Sequence, residues 1–81
     1  MVRPEEEDLE QLLAGLGGEQ QVLARCVAAG VSLQSLGRLR AGMGHATEFH
    51  TVHALARLLG VSVARVDRAV SVRRQRSLRQ F

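Results

Sequence analysis

Lysine is absent from these 81 residues, and cysteine and proline occur once each. A single cysteine excludes an internal disulfide framework and any four-cysteine zinc site. One proline among Val-, Leu- and Ala-rich runs excludes a collagen-like or disordered composition. Unbroken apolar stretches run to only a few residues, far short of the roughly 20 that cross a bilayer. The opening Met-Val-Arg-Pro, followed by Glu5, Glu6, Glu7 and Asp8, lacks the apolar core of a signal peptide. What remains is a chain that is 46% apolar, enough for one small core. The expectation is a soluble, cytosolic, helical domain with no membrane association.

Charge is segregated. Residues 1–20 set six acids against Arg3, a net of −5, whereas residues 21–81 set ten arginines against Glu48 and Asp67, a net of +8. Guanidinium forks grip phosphate and guanine edges bidentately, which an ammonium does less well. A GC-rich coding sequence gives the same arginine bias, so both origins stand. The asymmetry itself points to a polyanionic partner.

Leu9, Leu12, Leu13 and Leu16 form the stripe of a first amphipathic helix. Pro4 can open it, since its missing N–H costs little in a first turn, and the acids that follow suit the positive end of the helix dipole. Gly15, Gly17 and Gly18 stop it. A second helix is expected over 19–29 with Val22, Leu23, Cys26 and Val27 inward, ended by Gly30. Ser32 caps a third over 33–41, seated by Leu36 and Leu39 and closed near Gly42. Residues 42–46 read as a loop. Thr47 caps a fourth helix whose apolar face is Phe49, Val52, Leu55, Ala56 and Leu59. Past Gly60, Ser62 starts a short fifth with Val63, Val66 and Val70. Domain 1–70 is then followed by a basic tail, 71–81, loosely ordered or a helix extension.

The run Val22–Leu39 has the parts of a helix-turn-helix: small Cys26, the turn glycine Gly30, the apolar plug Val31, and Leu36 and Leu39 to seat the second helix. Such a unit exposes the start of its second helix to the major groove.

Gly-Val-Ser-Leu-Gln-Ser-Leu-Gly-Arg-Leu-Arg-Ala-Gly at 30–42 and Leu-Ala-Arg-Leu-Leu-Gly-Val-Ser at 55–62 resemble the lambda-repressor/Cro-like helix-turn-helix domains of the xenobiotic-response-element type. The likeness covers about residues 9–70. The chain departs from the family pattern at Arg25 and Cys26, where Leu-Ala is usual, at Arg40, where Glu is frequent, and at Ala46, where proline is frequent. The resemblance implies an all-α bundle of about five short helices that binds double-stranded DNA as a homodimer. It implies base reading by Leu33, Gln34, Ser35, Gly37 and Arg38. Phosphate contacts would come from Gln20, Gln21, Ser32, Arg40, His45 and Thr47, which position the protein without reading sequence.

No metal, cofactor or catalytic role is expected. His45, His50 and His53 are short of a closed zinc site, and Cys26 among apolar neighbours reads as a core residue. Gly15, Gly17 and Gly18 lack the lysine and strand context of a phosphate loop. The rival reading is an antitoxin-like or adaptor module that binds a protein through the acidic first helix or the arginine-rich tail ending at Phe81. Retention of the fold with loss of DNA binding is a third possibility, motivated by Arg25 and Arg40.

Overall fold

Asp8 starts the first ordered element of the computed structural model, which describes residues 6–43 and 48–78. Its carboxylate accepts from the Gln11 N–H at 3.1 Å while the Gln11 side chain accepts from the Asp8 N–H at 2.8 Å. This reciprocal capping box satisfies two otherwise orphaned donors. From it run α1 (Leu9–Leu13) and a 3-10 turn (Ala14–Leu16), then α2 (Glu19–Ala28), α3 (Leu33–Arg40), α4 (Phe49–Leu59) and α5 (Val63–Leu78). The described residues contain no strand. Pro4 and Thr47, expected as helix starters, lie outside the described residues, and the residue before α4 is Glu48.

The four leucines of the first stripe are all buried, even though the helix tightens to 3-10 geometry after Leu13. They meet Val22 and Cys26 of α2, Leu36 and Leu39 of α3, Leu55 of α4, and Val66 and Val70 of α5 in one core. Burying each such leucine or valine contributes roughly 1.5–3 kcal/mol. That contribution holds α3, only eight residues long and too short to be stable alone.

Gly30 turns the chain between α2 and α3. Its φ is +81°, a left-handed backbone that glycine takes without strain. Gly30 N–H donates to Val27 O at 3.0 Å and Val31 N–H to Cys26 O at 2.9 Å. These two bonds satisfy the last carbonyls of α2 and drop Val31 into the core. The same pair recurs after α3, with Gly42 N–H on Leu39 O at 2.9 Å and Met43 N–H on Arg38 O at 2.8 Å.

Three expectations are corrected. Val27 and Phe49, placed inward by periodicity, are 56% and 58% exposed. Val22 and Cys26 make the buried contact of α2, with Val27 at the margin of that face, and Phe49 is the first residue of α4, ahead of the buried Leu55 and Ala56. The third correction concerns the fifth helix, expected to be short: α5 is 16 residues long and takes in residues 71–78 as a helix extension, one of the two readings of the basic tail. Its arginines explain why. Arg73 Nε donates to Arg40 O at 2.9 Å and Arg74 Nε to Gly42 O at 2.8 Å, capping the carbonyl end of α3. Arg76 bonds both the buried Asp8 carboxylate and Glu6 O. Closer to the start of α5, Arg65 grips Glu7 with two bonds of 2.9 and 3.0 Å. The segregated charges of the chain thus meet each other inside one molecule.

Candidate nucleic-acid interface

Helix α3 presents the proposed reading residues because its anchors face the other way. Ser32 caps it, its hydroxyl accepting from Ser35 N–H at 3.4 Å. Leu36 and Leu39 are buried, which leaves Leu33, Gln34, Gly37 and Arg38 as one exposed outer strip with Ser35 half-buried at its margin. Gly37 stands mid-helix in that strip, and a Cβ added there would meet nothing within 4 Å. No internal neighbour requires a glycine at that point.

Arg38 is held at one nitrogen. Its Nη1 donates to Glu48 Oε1 at 2.8 Å; Glu48 is 2% exposed, while the Arg38 side chain is 44% exposed. The pair matches a buried carboxylate with the counter-charge that burial demands. It also ties the start of α4 to the outer strip of α3. The sequence alone shows Glu48 only as one of the two acids among residues 21–81.

Arg40 is engaged elsewhere. Its Nε and Nη2 donate to Glu10 at 2.7 and 2.9 Å, and its Nη1 and Nη2 to Glu19 at 2.6 and 2.9 Å. The bonds to Glu19 and then Glu10 push the Arg40 guanidinium pKa up, and the Arg40 bond holds the Glu19 carboxyl below its usual range. A phosphate contact from Arg40 would have to displace two carboxylates, so this expected role sits poorly with the geometry. The two carboxylates that Arg40 holds come from α1 and α2. The signal was available in the acids at 10 and 19, but their separation from residue 40 hid the pairing.

Gln20 and Gln21 are exposed at the start of α2. The Gln21 side chain lies over the turn, since a Cβ on Gly18 would come within 3.0 Å of its Oε1. His45 and Thr47 lie outside the described residues. Cys26 is fully buried, and burial pushes its thiol pKa up, the state of a core residue rather than a nucleophile. Among the described residues no cluster of three metal-ligating side chains occurs. None of their helices is long and apolar enough to cross a membrane. Comparison with protein-family models, curated proteins and solved structures found no match.

Proposed function

We propose that this chain is a sequence-specific double-stranded-DNA-binding domain, a small transcriptional regulator that seats α3 in the major groove as a homodimer. The observation that carries the reading is the outer strip of α3. A short helix fixed from behind by Leu36 and Leu39 offers Leu33, Gln34, Gly37 and Arg38 to the outside. The glycine in that strip serves no internal packing and permits close approach of another surface. The α2–Gly30–α3 corner supports the same reading, as the turn of a helix-turn-helix.

In this reading Gln34 pairs with adenine and Arg38 with guanine, each worth about 1–3 kcal/mol of discrimination. With Nη1 on Glu48, the Nε–Nη2 edge of Arg38 supplies the two parallel donors that guanine needs. Gln20, Gln21 and Ser32 carry the backbone contacts. A homodimer follows because one short helix reads too few bases for useful specificity. The rival surface, the acidic first helix, is less favoured: Arg65, Arg76 and Arg40 already hold Glu7, Asp8 and Glu10.

Selection of bound sequences from random duplexes at near-physiological salt tests the reading. The expected result is a two-fold symmetric site, with Arg38→Ala relaxing one position per half-site at a cost of about 10- to 100-fold in affinity. Failure to enrich any sequence would remove the proposal.

A further inference from the structure

Phe49 is the one Phe, Tyr or Trp side chain among the described residues, and it stands outside the core on the first turn of α4. The His53 ring lies 4.2 Å from it, tilted by 49°, and His50 meets it edge-on at 6.3 Å. With Ala54 and Arg57 these side chains line a depression of about 290 Å³ along the outer face of α4. The charge of this face is of one sign. Phe49–Leu59 contains no acidic residue, and Glu48 beside it is buried against Arg38. Arg57 is exposed and forms no ion pair with another described residue, unlike Arg38, Arg40, Arg65 and Arg76, each of which has a carboxylate partner.

An exposed aromatic ring beside an unpaired guanidinium and two imidazoles has the composition of a docking patch, where aromatic and arginine anchors dominate the binding energy. The occupant follows from charge. Arg57 is the fixed positive charge of this face, and no acidic residue of α4 opposes it. With the exposed ring beside it, this matches a carboxylate-bearing segment around one apolar side chain.

We infer that this face of α4 docks an acidic polypeptide segment that carries an apolar anchor. The anchor enters the depression against Phe49, and a flanking carboxylate pairs with Arg57. This second surface is on a different helix from the reading strip and does not depend on DNA binding.

Fluorescence anisotropy of the full chain with a labelled Glu-rich helical peptide bearing one central leucine tests the assignment. The same peptide with serine in place of leucine serves as its control. The expected result is saturable binding that Phe49→Ala and Arg57→Glu each weaken about tenfold or more, as loss of an anchor does. Arg25→Glu, an exposed change on α2, leaves it intact. Circular-dichroism melts check that the variants fold, and Arg57→Glu carries the test if Phe49→Ala does not. No binding, an equal loss in Arg25→Glu, or equal affinity for the serine peptide would overturn the assignment. So would tighter binding of a single-stranded oligonucleotide to the same residues.

Discussion

Two glycines near the reading strip face opposite constraints, and substituting each by alanine separates them. Gly37 has ordinary helical backbone and open space around it. Alanine there should stabilise the fold by roughly 0.5–1 kcal/mol, because mid-helix glycine is costly. Thermal unfolding should move up by about 2–8 °C, while affinity for the selected duplex falls because the methyl group stands in the contact. Gly42 has φ +81°, and a Cβ there would come within 2.5 Å of Arg74 Cα. Alanine at 42 should destabilise by at least about 1–3 kcal/mol from backbone strain, before the clash with α5 is counted. A stabilising Gly42→Ala would show that α5 does not lie where described. A Gly37→Ala variant that is stabilised yet binds DNA normally would detach that glycine from function.

Between elements, Arg40 is the principal tie, joining α3 to α1 through Glu10 and to α2 through Glu19. Its side chain is 24% exposed, so the network lies between a solvent-screened pair and a buried one. Arg40→Ala should cost about 1–3 kcal/mol at neutral pH, read by chemical denaturation. The pH dependence has a fixed sign. Glu7, through its Arg65 bond, and Glu19, through Arg40, are held below their ordinary value of 4.5 in the folded state. Their stabilisation is therefore full above pH 4.5 and is lost as pH falls through the folded-state values. Denaturation between pH 7 and pH 3 should show a plateau and then a decline, and Arg40→Ala should make the decline shallower. A profile unchanged by the substitution would remove Glu19 from the acid limb.

The corners between elements were legible in the sequence because their chemistry is local. Gly30, Val31 and Ser32 write a left-handed stop, a plug and a cap into three consecutive positions, and each does that work in the structure. Phe49 and Val27 were misplaced because helical period shows which positions share a face, not how wide a neighbouring surface covers it. The α3 strip was legible for the same local reason, by subtraction of Leu36 and Leu39. The partners of Arg38 and Arg40 were not: they lie 10, 21 and 30 residues away, and only the tertiary fold brings them within bonding distance.

On the scale of the whole molecule, the basic end of the chain acts as a clasp. Arg73, Arg74 and Arg76 reach the end of α3, the Gly42 turn and the start of α1. Truncation after Val70 should therefore destabilise by about 2–4 kcal/mol, since it orphans helix carbonyls and a buried carboxylate together. A melt of the 1–70 fragment as stable as that of the full chain would restore the view of a separable tail.

The clasp also sets an order of events during synthesis. Asp8 leaves the ribosome early, but the arginine that bonds its carboxylate is 68 residues further on. At roughly 5–20 residues per second, that carboxylate waits about 3–14 s for its counter-charge. The nascent chain can form its corners as it emerges, but the first helix is locked only when the fourth turn of the last one has been made.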